Sequence, residues 1–555
     1  MGSLGVPSRE QYDVLIIGAG LSGVCTLHHL KQCFSSWRIQ VLEAGTGSGG
    51  TWFWNKYPGA RFDSESVSYG FSWDKELLEE WHWKEAFSPQ PETLKYIQRV
   101  CEKHDLDKDI RYDTKITSAI WQENSHTWLF TDTNGLEHET RFFISCMGFL
   151  SSPTLPNIPG VHDFKGRAFH TSRWPQDFEL ARDFGHKRIG IIGTGATGIQ
   201  TITAISKEPT IKSLTVFQRT ANWSAPLRNT EITTDQMTDL RKHYPAIFKL
   251  CAETPMCFMH QADPRKSLEV SEEERLALWE AVYEKPGFAK WLGVFSDTFT
   301  NREANNLYSD FMANKIRSRV HDPATAEKLI PKNHGFGTRR VPLESGYFEV
   351  YNKPNVKLVD LQSTPITRIV EAGIQTSDGV SHDLDILIYA TGFDAITGAF
   401  SAIDFRGKDG RPLISQKENS QVVWQNHCPR TYLGMTIPHF PNMFMVLGPH
   451  QPFGNATRSI EHAVTVLEEL LQFIADKGYT YAEPSEEAVE RWTEHVFESA
   501  KGSLSNEVDS WMTGVNANVE GKTVRTVARY AGSAIGFRKE CEDARAAGWK
   551  EMIFK

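Results

Sequence analysis

The chain has 555 residues, enough for roughly three to five domains of ordinary size, and its 40% apolar and 23% charged residues exclude a disordered polymer. A net charge of −9 without a basic block speaks against a nucleic-acid partner. No apolar run approaches the ~18 residues that span a membrane, and the N-terminus carries no basic-then-apolar signal. Met1–Val6 misses the myristoylation pattern because Val6 stands at the Ser/Thr position. Eight cysteines without a CxxC pair indicate neither a disulfide scaffold nor a zinc site, and fit reduced thiols in the cytoplasm.

Taken in chain order, Tyr12–Ile17 reads as an apolar strand running into Gly18-Ala19-Gly20-Leu21-Ser22-Gly23. Gly18 permits a tight turn, Gly20 lets a pyrophosphate approach the backbone, and Gly23 lets the next helix pack on the strand. Ser22 opens that helix, whose N–H groups point at the phosphates. A second strand, Ile39–Leu42, ends at Glu43, twenty residues beyond Gly23, where an acid meets a ribose hydroxyl pair. Paired glycines follow in Gly49-Gly50-Thr51-Trp52-Phe53-Trp54, continuing through Tyr57-Pro58-Gly59 to Asp63. Such glycines let backbone lie against a flat ring system, and the tryptophans offer broad faces to it.

Two segments repeat one another. Arg141–Phe149 and Asp385–Phe393 are each an apolar strand ending in Gly-Phe, the pattern expected where a chain crosses between two domains with one inserted in the other. Between them lies Phe164-Lys165-Gly166-Arg167-Ala168-Phe169-His170-Thr171-Ser172-Arg173-Trp174-Pro175. Read as Phe-x-Gly-x-x-x-His-x-x-x-Trp-Pro, it resembles the fingerprint of the type I Baeyer–Villiger monooxygenases. The Gly49–Asp63 stretch resembles a second motif of that family, Gly-Gly-x-Trp-x4-Tyr-Pro-Gly-x3-Asp, at every fixed position. His170 invites a general-base role because imidazole titrates near neutrality, yet its frame of Gly166 and Trp174-Pro175 favours a hinge that hydrogen-bonds its linker.

A second glycine turn, Gly193-Thr194-Gly195-Ala196-Thr197-Gly198, follows the strand Arg188–Ile192. Its next strand, Leu214–Phe217, leads to Gln218-Arg219-Thr220. Twenty residues beyond Gly198 the ribose acid is replaced by Gln218, and Arg219 follows; arginine holds a 2′-phosphate where an acid would repel it, so NADPH is expected over NADH. Gln200 and Thr220 are counted with this second cofactor site. From Ala225 to Pro331 the pattern is amphipathic and helical, with a capping box at Ser271–Glu274 and Asp322-Pro323 as a cap and first turn. No catalytic cluster is recognisable there.

The resemblance implies an α/β protein with two Rossmann-like domains, for FAD and NADPH, and a helical insertion. The expected segments are 8–148 and 385–555 for FAD, 149–225 and 331–384 for NADPH, and 226–330 for the insertion. It also implies that Thr51, Trp52, Phe53, Trp54, Asp63, Tyr69 and Ile116 contact the flavin, and that Asn455 or Ala456 in Gly448–Ala456 lies near its ring. In Gly335-Phe336-Gly337-Thr338-Arg339-Arg340, the family's catalytic arginine falls on Arg340, with Arg339 in place of a lysine and Asp63 positioned to orient Arg340. Trp511 resembles the tryptophan of the family's mobile loop, in which Glu520 replaces a proline, a change expected to loosen that loop.

The implied reaction is conversion of a ketone to an ester or lactone with NADPH and dioxygen through a C4a-peroxyflavin, with sulfoxidation as a possible side activity. A flavin-containing monooxygenase acting on amines or sulfides is the alternative, and a flavin-binding protein without turnover is a third. A dithiol reductase fails because Cys25 and Cys33 are too far apart in sequence.

Overall fold

The computed structural model describes residues 9–414 and 421–555. Met1–Val6 and the expected domain start at residue 8 lie outside the described residues. Val14, Leu15 and Ile16 are fully buried, so the Arg9–Ile17 strand needs apolar residues on both faces, as a central parallel strand does. It pairs in parallel with Ile39–Leu42 and Glu137–Ser145. The sheet extends antiparallel through Thr127–Asp132 and Ile116–Gln122, and in Thr127–Asp132 burial alternates residue by residue, as it must when one face is covered. Asp404–Arg406 and Met443–Met445 return from late in the chain to join the same sheet.

A second sheet is parallel throughout, in the order Val356–Asp360, Ser213–Gln218, Arg188–Ile192, Ile386–Tyr389 and Arg167–His170. Both sheets carry a glycine turn and helix after a central strand, so the α/β fold is two Rossmann-like units. The expected return to the first unit at residue 385 comes later in the fold. Ile386–Tyr389 lies between two parallel neighbours in the second sheet, fully within its core, and the chain changes unit only after Tyr389. A further departure is the three-stranded antiparallel sheet of Ile366–Val370, Gly373–Thr376 and Ser381–Asp383.

The two linkers pair with one another. Thr154 donates its N–H to the Gly392 carbonyl at 3.0 Å, and Pro153 bridges Phe393. Both helix starts read from the insertion form: Ser271 and Glu274 make a reciprocal capping box, and the Asp322 carboxylate accepts from Ala324 and Thr325. Thr233 and Gln236 make another box. The Thr234–Ala252 helix gives Met237, Tyr244 and Ile247 to the first unit's core, whereas Trp279, Tyr308 and Phe311 pack into the second's. The insertion thus spans both units. No helix among the described residues is long and apolar enough to cross a membrane.

Candidate active site

Each glycine turn is shaped by what lies against it. Gly18 and Gly193 adopt φ of +103° and +110°, which side chains rarely tolerate. A Cβ on Gly23 would collide with the Gly18 carbonyl, and one on Gly198 with that of Gly193. Above Gly195 there is open space, and Gly20 faces Gly50. The helices Leu21–Cys33 and Ala196–Ile205 have no acid in their first turn, so their N-terminal N–H groups are free to receive a pyrophosphate. Thr194 donates to the Thr220 carbonyl at 3.1 Å, closing the second turn on its neighbouring strand end. Glu43 accepts from Ala19 and Gly45 N–H groups at 2.7 Å each. Burial raises its carboxyl above the usual range while these donors oppose the rise, and its remaining lone pairs suit ribose hydroxyls.

The stretch from Gly49 to Asp63 builds an aromatic wall beside the first turn. Trp52 donates its indole N–H to the Tyr69 hydroxyl at 3.0 Å, and Phe62 stacks on Tyr69 at 4.3 Å. Thr51 is exposed, while Phe53 and Trp54 are half-buried and meet edge to face at 5.3 Å. The Arg173 guanidinium lies 4.4 Å over the Trp54 ring. Ile116 sits in the sheet core with Leu15, Ile17 and Leu42, and Ser22 is buried. Gln200 is a tie between the units: it accepts from the Tyr57 hydroxyl at 2.8 Å and donates to the Arg61 carbonyl at 3.1 Å.

Asp63 and Arg340 meet across the interface of the two units, with Arg340 Nη2 at 2.7 Å from Asp63 Oδ2. Asp63 is 1% exposed and Arg340 30%, so the acid is the fixed member and the guanidinium faces open space. The Leu343 N–H also donates to Asp63, at 3.2 Å. Burial pushes the Asp63 carboxyl up, and the guanidinium beside it counters that push. Arg340 Nη1 is enclosed without a partner. Asp63 Oδ1 is likewise enclosed and unpaired, so the pair is joined through one contact and leaves one donor and one acceptor open.

At the second site, Gln218 turns away to the Lys328 carbonyl at 2.7 Å. Arg219 is exposed and Arg339 half-buried. Burial and the nearby Arg219 charge both lower the Arg339 pKa, with Asp509 only partly offsetting them. Two guanidinium groups brought together with only a partial offset from Asp509 disfavour one another unless a multiply charged anion joins them.

A covering layer closes the interface. Asn455 donates to the Ser68 carbonyl and hydroxyl at 3.2 and 3.0 Å, and Ala456 opens the helix running to Lys477. Trp511 stacks on Phe149, which stacks in turn on Phe453. Far from hanging loose, the loop after Trp511 has three side-chain anchors on the second linker. Lys522 binds Asp394 and Thr397, Asn516 donates to the Phe393 carbonyl at 2.9 Å, and Asn518 to that of Thr391 at 3.3 Å.

Residues 11–227 match the flavin-binding monooxygenase-like family model. The 2-oxo-Δ3-4,5,5-trimethylcyclopentenylacetyl-CoA monooxygenase of Pseudomonas putida is 42% identical over 535 residues, 96% of each chain. A Baeyer–Villiger monooxygenase of Pseudooceanicola batsensis is 35% identical, over 98% of this chain and 96% of its own. The crystal structure of OTEMO in complex with FAD and NADP superposes with a TM-score of 0.92 at 40% identity, covering 99% of this chain and 100% of that one. The chain belongs to the Baeyer–Villiger monooxygenases.

In this Baeyer–Villiger monooxygenase the fingerprint histidine has both ring nitrogens engaged in its linker. His170 Nδ1 accepts from the Ser172 N–H at 3.1 Å, and Nε2 lies 3.0 Å from the Gly392 carbonyl. The ring is therefore neutral, with Nε2–H donating, and burial holds its pKa down to about 4 from 6.5. The unfolded chain binds the extra proton in that window, so the stabilisation is complete above pH 6.5 and is lost as pH falls toward 4. His170→Asn is expected to flatten the acid side of the urea-midpoint profile by up to about 1.4 kcal/mol per pH unit. An unchanged slope between pH 6.5 and 4 would refute this.

Sequence reasoning missed Arg173, Lys522 and Asp394. Arg173 was readable only as part of the fingerprint, and nothing local marks Lys522 and Asp394, 128 residues apart, as partners.

Proposed function

We propose that this chain binds FAD and NADPH and uses dioxygen to convert ketones to esters or lactones, with Arg340 as the catalytic residue and Asp63 as the acid that positions it. The observation that carries this reading is the Asp63–Arg340 pair at the seam between two dinucleotide turns. The residues fit both cofactors: open space above Gly195, paired turns at Gly20 and Gly50, an aromatic wall at Trp52 and Tyr69, and the unpaired Arg219 and Arg339. Bound FAD, reduced by NADPH, supplies the activated oxygen that is inserted.

The protein's part is placement and charge. Arg340 stays protonated at any working pH, and its free Nη1 offers a hydrogen bond to an oxygen on which negative charge develops. Asp63 holds the guanidinium in one orientation from its buried side. Arg219 and Arg339 favour NADPH over NADH by accepting the 2′-phosphate. The eight cysteines carry no disulfide, in keeping with a location in the cytoplasm.

The test supplies purified protein with NADPH, isotopically labelled dioxygen and a cyclic ketone, and in parallel a thioether. Lactone carrying one labelled oxygen, formed in step with NADPH consumption, is the expected product. Turnover of the thioether alone would instead support heteroatom oxygenation, and flavin binding without any turnover a non-catalytic role.

A further inference from the structure

The loop that carries Asp63 is gripped by the helix of the second glycine turn. Gln200 lies on that helix, Ala196–Ile205, and both ends of its side-chain amide are taken up by the first unit. Its Oε1 accepts from the Tyr57 hydroxyl at 2.8 Å, and its Nε2 donates to the Arg61 carbonyl at 3.1 Å. Between those two partners, Gly59 brings backbone against backbone. It adopts a φ of +84°, and a Cβ there would stand 2.7 Å from the Gln200 carbonyl oxygen, so a glycine is what lets helix and loop approach this closely.

The same loop is anchored on its own side. Arg61 Nη1 donates to the Glu85 carboxylate at 2.9 Å and to the Phe87 carbonyl at 3.2 Å, and the Gln90 N–H donates to the Ala60 carbonyl at 2.8 Å. Two residues beyond Arg61 stands Asp63, whose Oδ2 meets Arg340 at 2.7 Å and accepts from the Leu343 N–H at 3.2 Å. One short stretch of chain, Tyr57 to Asp63, is thus held from both units and ends at the acid that faces Arg340. Burial pushes the Tyr57 hydroxyl up to about 12, against the Thr197 hydroxyl and Arg340 and with the help of Asp63. The phenol therefore keeps its proton, and its bond to Gln200, at any working pH.

Resting on the ketone-oxygenating function above, we propose that Tyr57 and Gln200 are positioning residues for oxygen insertion, holding the Asp63 loop in register with the second glycine turn so that Arg340 stands in one place. Asp63 grips the guanidinium through a single contact, so the orientation of Arg340 is only as fixed as the loop behind Asp63. A displacement of about 1 Å at such a point is enough to cost much of a reaction that depends on placement. Without the tie, reducing equivalents are lost. NADPH, a proton and dioxygen then give NADP+ and hydrogen peroxide, where the same three with the ketone give NADP+, water and lactone.

The experiment measures lactone and hydrogen peroxide together in the wild-type holoenzyme, Tyr57→Phe, Gln200→Leu and the double variant, each with NADPH and a cyclic ketone. Both products arise after flavin reduction, so their ratio does not follow from how well NADPH binds. Tyr57→Phe, which removes a single oxygen, is expected to lower the lactone-to-peroxide ratio about 2- to 10-fold, the usual worth of a neutral hydrogen bond, and Gln200→Leu to lower it at least as much. The double variant should lose no more than Gln200→Leu alone, because the two residues act through one contact. Hydrogen exchange at the Leu343 amide, which donates to Asp63, reads the same tie without turnover and should quicken in both single variants. An unchanged ratio, losses that multiply in the double variant, unaltered Leu343 exchange, or a higher KM for NADPH at a normal ratio would each overturn the assignment. Absence of lactone from the wild type would remove the function on which the proposal rests, whereas wild-type lactone at a ratio shared by every variant would remove the tie alone.

Discussion

Arg340→Ala is expected to bind FAD and to be reduced by NADPH at close to the wild-type rate, yet to form almost no ester. Hydride transfer needs the two cofactors side by side, and the cradles proposed for them are the glycine turns, the aromatic wall and the Arg219–Arg339 pair, none of which Arg340 builds. On the proposed function, oxygen insertion needs a fixed positive charge where negative charge builds up, and the Arg340 guanidinium, 2.7 Å from Asp63, would supply it. Loss of one such preorganised donor removes about 3–4 kcal/mol of transition-state stabilisation, a fall of about 10²–10³-fold in ester formation. Truncation also leaves Asp63, 1% exposed, as an uncompensated buried charge, which deepens the loss. Arg340→Lys should recover little, because an ammonium cannot both pair with Asp63 through one nitrogen and present a second. Anaerobic stopped-flow absorbance measures reduction, and gas chromatography measures ester. Normal ester yield from Arg340→Ala would remove Arg340 from its role.

The second large effect concerns the choice of nicotinamide cofactor. In Arg219→Ala/Arg339→Ala, kcat/KM for flavin reduction by NADPH should fall about 10²–10³-fold, since each charge-assisted contact contributes about 1.5–3 kcal/mol and neighbouring contacts do not add fully. NADH should change little, because it lacks the phosphate that the two arginines would hold. The variant should also be no less stable than wild type: burial and mutual repulsion already disfavour the Arg339 charge, and removing both relieves that. Steady-state rates with each cofactor and a thermal melt provide the check. A parallel decline with NADPH and NADH would mean that the pair acts on something common to both.

Much of the fold is legible locally. An apolar strand running into Gly-x-Gly-x-x-Gly states its own turn, because only a residue without Cβ escapes collision with the Gly18 carbonyl at Gly23 and with the Gly193 carbonyl at Gly198. The strands at Ile39–Leu42, Arg188–Ile192 and Val356–Asp360 and the Ser271 capping box are set by residues a few positions apart. Gln218 in place of an acid, with Arg219 beside it, is likewise a statement about adjacent residues.

Other features belong to the tertiary structure alone. The change of unit after Tyr389 depends on Ile386–Tyr389 finding parallel neighbours at Arg188–Ile192 and Arg167–His170, which an apolar run cannot announce by itself. Gln200 becomes a tie only because Tyr57 and Arg61 lie across the seam, 143 and 139 positions away. The Lys522–Asp394 anchor has the same origin. A motif records what its own backbone must do; which charge meets which is decided when distant segments are packed together and water is excluded between them.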